Sequence, residues 1–283
     1  MLGAPSVWHN LKIAQISRSG AQGSWSDKIR FMPKIELTRD ANAYRITLTD
    51  PPLHILDIAL LEELRDVLAT VEPDRHCLIL DAQGEKAFSA GASVHDHLGD
   101  RVATMLERFH DCIRVLARRD LVTVALVRGA ALGGGCELAL ACDFVLASDR
   151  ARFSQPEINL GVFPPVAVYQ LSRQTFPRRG LELLLTGEAV DAATAADLGL
   201  VNAVFPLAEF DAKADEWLAR LYRQSSSSLR FTKRAFRLAQ AADFEQRLAA
   251  VERLYLDELM QTGDANEGLN AFIEKRQPVW SGK

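Results

Sequence analysis

Two glycine-containing turns and two glutamates are the residues in this 283-residue chain whose types and spacing could do chemistry. In AFSAGAS (87–93), Gly91 lets the backbone bend sharply, which turns the N–H of Ala92 toward a pocket instead of a strand ladder. In GAALGGGCE (129–137) three glycines precede a helix, so the N–H of Gly134 is expected to be unpaired at the positive end of the helix dipole. Two such donors converging on one point would make an oxyanion hole, where each donor can be worth about 3–4 kcal/mol in a transition state. Taken alone, each turn is only a tight strand-to-helix connection.

Two carboxylates accompany the turns. Glu137 stands at the start of the helix after the second turn, and Glu157 stands in SQPEINLG (154–161) after the next strands. The run LALACDFVLA (138–147) is largely apolar, which predicts a buried setting for Glu137. Burying an unpaired acid is costly and neighbouring carboxylates resist ionising together, so one of the two is expected to hold a proton. That is the arrangement for one base and one acid around a single water. Singly, each glutamate reads as a helix-start or capping residue.

Other common signatures are absent: the chain has no G-x-x-x-x-G-K-[ST], no G-x-S-x-G and no H-E-x-x-H. The glycine cluster also fails the dinucleotide fingerprint, because Leu138 stands where a third small residue is required. The triplet His95, Asp96, His97 lacks the further ligands that a zinc site needs. It reads as a solvated loop or helix start, and no metal is expected.

Strand-turn-helix units must position these groups. YRITLTD (44–50) reads as a strand, followed by a helix in DIALLEELRDVLATV (57–71) with Asp57 as its N-cap. Next come a strand CLILDA (77–82), the first turn, and an amphipathic helix over about 100–119. VTVALVRG (122–129), the second turn and its helix form a third unit, and FVLAS (144–148) and ARFSQ (151–155) lead to the loop with Glu157. After Val166 the pattern is mostly helical, apart from the extended LVNAVFP (200–206). The order implies an α/β core with a C-terminal helical region, without internal repeats of solenoid period.

Composition bounds the class. With 48% hydrophobic and 25% charged residues the chain can bury a sizeable core, and no apolar run approaches the ~20 residues that cross a bilayer. A net charge of -4 argues against a nucleic-acid or anionic-membrane surface. Four cysteines without a C-x-x-C pair read as reduced core residues, and the expected location is the cytoplasm. Residues 1–33 carry a net +3 against -7 for the remainder. This Gly/Ser-containing stretch reads as a flexible arm, with a transit peptide or an over-extended start before Met32 as alternatives.

The string GAALGGGCELALACD (129–143), then ARFSQPEINLGVFP (151–164), with AFSAGA (87–92) upstream, resembles the enoyl-CoA hydratase/isomerase (crotonase) superfamily. LLLTGEAVDAATAADLGLVNAV (183–204) and AFIEKRQPVW (271–280) extend the resemblance, so it covers about residues 34–280. It implies a crotonase-like ββα spiral core (34–205), a C-terminal helical trimerisation region (206–283), and a homotrimer or homohexamer. The implied partner is an acyl-CoA thioester, with no nucleic acid, no membrane and no cofactor beyond the CoA of the substrate. Position by position, Ala92 and Gly134 would donate to the thioester oxygen, and Glu137 and Glu157 match the two acids that hold and activate water. Phe272 and Lys275 match contacts to the CoA nucleotide bound by an adjoining subunit, and Ala90 belongs to the same CoA-binding set.

Many simple hydratases of this family read P-G-x-G-G after the second acid, whereas this chain reads Pro164, Pro165, Val166, Ala167, Val168. Pro165 has no N–H, so a backbone amide that helps to hold the water there is missing, and the wall is bulkier. With PPLHILDIALLEEL (51–64), DHLGD (96–100) and KRQPVW (275–280), the GVFPPVA segment (161–167) is similar to the subgroup that hydrates cyclohexa-1,5-diene-1-carbonyl-CoA in aromatic degradation. His54 stands where Asn is expected and Ser93 where Asp is commoner. The implied activity is hydration of a conjugated enoyl-CoA or cyclic dienoyl-CoA. An isomerase or hydrolase on the same frame, and a non-catalytic RNA-binding member, are the alternatives.

Overall fold

Three successive strand-strand-helix turns generate the architecture in the computed structural model, which describes residues 34–240 and 244–279. The arm expected over 1–33 lies outside the described residues. Strands β1 (Ile35–Arg39) and β2 (Ala43–Leu48) form an antiparallel hairpin, and α1 (Ile58–Thr70) follows. The three turns are then β3 (Cys77–Ala82), β4 (Ala87–Ser89), α2 (Arg101–Arg118); β5 (Val122–Val127), β6 (Ala130–Leu132), α3 (Gly134–Leu140); and β7 (Phe144–Ser148), β8 (Arg152–Ser154), α4 (Pro165–Gln174).

The first strand of each turn joins one sheet and the second joins another. The larger sheet runs β1-β2-β3-β5-β7-β10, with β10 at Ala203–Phe205; the smaller runs β4-β6-β8-β9, with β9 at Val190–Asp191. In the larger sheet all pairings from β2 to β10 are parallel, which buries both faces, so β3 and β5 read as continuous buried runs instead of alternating ones. After α4 come α5 (Pro177–Thr186), α6 (Ala192–Asp197), α7 (Phe210–Tyr222), α8 (Ser226–Gln240), α9 (Phe244–Arg253) and α10 (Gly263–Ile273). α8 is tied to the sheet by Lys233, whose ammonium lies 2.6 Å from the Asp143 carboxylate.

The predicted cap is present: the Asp57 carboxylate accepts from the Leu60 N–H at 2.8 Å and pairs with Lys34 at 2.7 Å. Behind it Leu60, Leu61, Leu64 and Leu68 form the fully buried stripe that the helical spacing requires. The expectation of a solvated His95-Asp96-His97 triplet needs correction. These residues form a short 3₁₀ turn, and Asp96 is 2% exposed, because its carboxylate accepts from the Ile58 N–H at 3.1 Å and pairs with Arg101 at 2.5 Å. It satisfies a donor at the start of α1, and packing against that helix start keeps it from solvent. Among the described residues no group of three potential ligands could hold a metal ion.

Asp57→Ala removes both the cap and the Lys34 pair, and is expected to lower the unfolding free energy by about 1–2 kcal/mol. The urea midpoint should fall with an unchanged m-value.

Candidate active site

Each spiral turn delivers one functional loop at the end of its small-sheet strand. Ala92 follows β4, Gly134 follows β6 and Glu157 follows β8, and these three strands are parallel neighbours. Their register pairs Ser89 with Ala131 and Leu132 with Ser154, so the three loops leave the sheet side by side. Gly91, at a φ of 97°, turns the chain after β4, a conformation that a residue with a Cβ resists. At Gly135 the constraint is close approach: a methyl group there would collide with the Ser89 backbone and side chain, so only glycine lets α3 start against β4.

Both expected amide donors are found at this junction. Leu56 N–H donates to the Gly91 carbonyl at 3.0 Å and Ser93 N–H to the Leu56 carbonyl at 3.2 Å, which leaves the Ala92 N–H facing away from that bridge. Gly134 is the first residue of α3 and has no intrahelical acceptor. Among the described residues neither N–H donates to any acceptor. They are close together: a methyl group on Gly134 would lie 3.2 Å from the Ala92 nitrogen.

The carboxylates converge beside them. Glu137 is 4% exposed, and its Oε1 accepts from the Ala167 N–H at 2.7 Å in the first turn of α4. Pro165 occupies the first position of that helix, where its missing N–H costs no helical bond. Gln170 braces the same residue by donating to the Glu137 carbonyl at 3.0 Å. Burial outweighs the Ala167 and Val166 amides and pushes the Glu137 carboxyl up to about 7. Glu157 lies so close to the strand end that a methyl group on Gly133 would run into its carboxylate. Its Oε2 is buried and finds no partner among the described residues. Burial, then the charge of Glu137, hold the Glu157 carboxyl well above its ordinary range. Two interacting acids of this kind titrate as a pair, and both hold their protons to a higher pH than a free carboxyl does.

Ala90, Ala92, Gly134, Glu137, Glu157 and Phe272 all line one cavity of about 440 Å³. Phe272, on α10, is 55% exposed at its margin. Lys275 is exposed beyond the end of α10 and does not line this cavity. His54 is fully buried outside it, with its Nδ1 3.1 Å from the Ala87 carbonyl. The sequence reading missed His110 of α2 and Tyr255, which follows α9; both line the cavity. His110 left a signal, since it interrupts the apolar stripe Met105, Leu106, Phe109, Ile113. Tyr255 left none, because an aromatic residue in a helical stretch reads as core.

Residues 38–283 match the profile of the enoyl-CoA hydratase/isomerase family. The chain belongs to that family. It is 38% identical over 254 residues to a cyclohexa-1,5-dienecarbonyl-CoA hydratase of Thauera aromatica, covering 88% of this chain and 97% of that protein. A probable enoyl-CoA hydratase of Rhizobium meliloti is 37% identical over 82% of this chain and 91% of its own length. Among solved structures, an enoyl-CoA hydratase from Mycobacterium avium subsp. paratuberculosis superposes with a TM-score of 0.76 at 27% identity, covering 88% of this chain and 98% of that one. The ββα spiral is therefore the fold of an enoyl-CoA hydratase/isomerase family member, as the sequence resemblance implied.

Two outcomes are expected. Gly135→Ala should displace α3 from β4 and lower activity by about 100-fold or more, as losing an aligned donor does, measured as kcat/KM on a preparation with native circular dichroism. The raised Glu137 carboxyl also makes stability depend on pH. At this group the folded protein keeps a proton that the unfolded chain releases, so its contribution to stability is fullest below about 4.5 and is lost as pH rises through about 7. Glu137→Gln should remove this loss, so that its melting temperature gains on the wild type between pH 5 and pH 8 by the equivalent of about 1–3 kcal/mol.

Proposed function

We propose that this family member is an acyl-CoA hydro-lyase that adds water to a conjugated enoyl-CoA or cyclic dienoyl-CoA thioester. The observation that carries the reading is the meeting of two unpaired amides with two carboxyls held above their ordinary range in one cavity. The Ala92 and Gly134 N–H groups hold the thioester oxygen, and they bind it more tightly as it gains enolate charge. The water oxygen bonds to the β-carbon, or to the far end of a conjugated diene. One glutamate takes the proton that this water loses, and the other delivers its own proton to carbon. The pair thus ends with as many protons as it began with, and no cofactor beyond the CoA of the substrate is used.

A cyclic diene as the acyl group is supported by the similarity to the Thauera hydratase and by the GVFPPVA segment, whose Val162, Phe163, Pro164 and Pro165 line the cavity. Ala90, whose carbonyl accepts no hydrogen bond among the described residues, and Phe272 are assigned to the CoA moiety. Lys275 is assigned to the CoA of an adjoining subunit. A trimer or a pair of trimers is supported by the exposed Phe176, Leu181 and Leu185 at α5, and Phe231 and Phe236 on α8, which are 54–69% exposed in the single chain. The four free, buried cysteines support a reducing, cytoplasmic location, and no helix among the described residues is long and apolar enough to cross a membrane.

The test is incubation with a panel of linear and cyclic enoyl-CoA and dienoyl-CoA esters, read by mass spectrometry. Gain of one water on at least one ester is expected, and no gain on any would turn the assignment to an isomerase or thioester hydrolase. Glu137→Gln and Glu157→Gln are each expected to slow hydration by about 10²–10⁴-fold. Wild-type turnover in either variant would overturn the two-acid scheme.

A further inference from the structure

Two polar heads in the cavity have no part in the hydration scheme. His110 is fully buried, and its Nδ1 is hydrogen-bonded to Glu252 of α9, which Arg114 also holds at 2.9 Å. The bond to His110 keeps the Glu252 carboxyl below its usual range. An ionised carboxylate only accepts, so Nδ1 of the imidazole carries a proton, and Nε2 lies on the other side of the ring. That Nε2 is buried and has no partner among the described residues.

Tyr255 stands three residues beyond Glu252, where the chain winds as a π turn over Leu254–Glu258, a local widening that recurs at functional sites. Its ring is fixed edge to face against Phe163, with centroids 5.2 Å apart, in an apolar cluster with Met105 and Leu106 of α2. Its hydroxyl is buried and also lacks a partner among the described residues. Buried polar atoms are costly to leave unpaired, and folded proteins carry few of them. Two that line one ligand cavity, on adjoining elements joined by the His110–Glu252 bond, call for a group that arrives with the ligand. A hydroxyl group both donates and accepts, so it can pair with the imidazole nitrogen and with the phenol at once.

We propose that His110, held by Glu252, and Tyr255 form a second polar station in the acyl cavity that binds a hydroxyl group on the acyl moiety. The substrate class is then an acyl-CoA that already carries a hydroxyl besides the one the addition creates, a refinement that rests on the acyl-CoA reading of the cavity. His110 and Tyr255 select the acyl group, whereas the two glutamates perform the addition.

The test uses benzoyl-CoA and its ortho, meta and para hydroxy derivatives, rigid thioesters whose aromatic rings resist hydration. Dissociation constants are measured by calorimetry for the wild type, Tyr255→Phe and His110→Phe. At least one hydroxy isomer is expected to bind the wild type about five-fold or more tightly than benzoyl-CoA, as one added hydrogen bond would give. That preference should shrink below about two-fold in each variant as the bond is lost. Tyr255→Phe removes a single oxygen and keeps the ring, so it decides the matter even if His110→Phe fails to fold. Equal binding of all four thioesters, or a preference that survives in Tyr255→Phe, would overturn the second station alone. Failure of all four to bind would overturn it together with the acyl-CoA reading.

Discussion

Gly133 N–H donates to the Ser154 carbonyl at 2.9 Å, and this bond locks the loop after β6 to the end of β8. On the other side of β6, the missing Cβ of Gly135 lets α3 begin against Ser89 of β4. The two contacts hold three short parallel strands in one register, and everything that the site does follows from that. Ala92, Gly134 and Glu157 lie far apart along the chain, yet each occupies the same place in its own spiral turn. A shift of one residue in any of the three strands would turn its loop away, since side chains and amides alternate in direction along a strand.

The site then carries a cost. Glu137 is buried with the Ala167 amide as an acceptor-satisfying donor, and Glu157 leaves one oxygen without a partner among the described residues. Raising one carboxyl from 4.5 to about 7 corresponds to roughly 3 kcal/mol of preference for the protonated form. Domain stabilities are only about 5–15 kcal/mol, so this is a large sum to hold in one side chain. The same burial places the proton affinity of this carboxyl near neutrality. The apolar spiral core around α1 and the larger sheet supplies the stability against which that cost is set.

How much of this was legible in the sequence differs from element to element. α1 announced itself through Asp57 and a four-leucine stripe, and β3 and β7 through runs with the composition of buried strands. β4 and β6 did not, because three residues are too short to show a period. The turns after them were visible only through their glycines. Asp96 was misjudged because a carboxylate between two histidines gives no sign that a helix start from 38 residues upstream will need its oxygen. His110 was visible as a polar break in an apolar stripe, but its partner Glu252 lies 142 residues away.

By itself the sequence determined the local chemistry: which amides would be free, because glycine turns and helix starts leave them so, and which acids were available. It also determined the family, because the motifs occur in a fixed order over most of the chain. Tertiary structure decided what depends on distance and on the exclusion of water. The Ala92 and Gly134 amides meet only when parallel strands bring them together, and two ordinary glutamates leave the usual carboxyl range only when burial acts on both and the charge of Glu137 acts on Glu157. Likewise His110 and Tyr255 became candidates for ligand contact only once the packing of α9 against α2 left their polar atoms without partners among the described residues. Local sequence encodes the groups, but their proton affinities and unmet hydrogen bonds are set by neighbours that only the folded chain supplies.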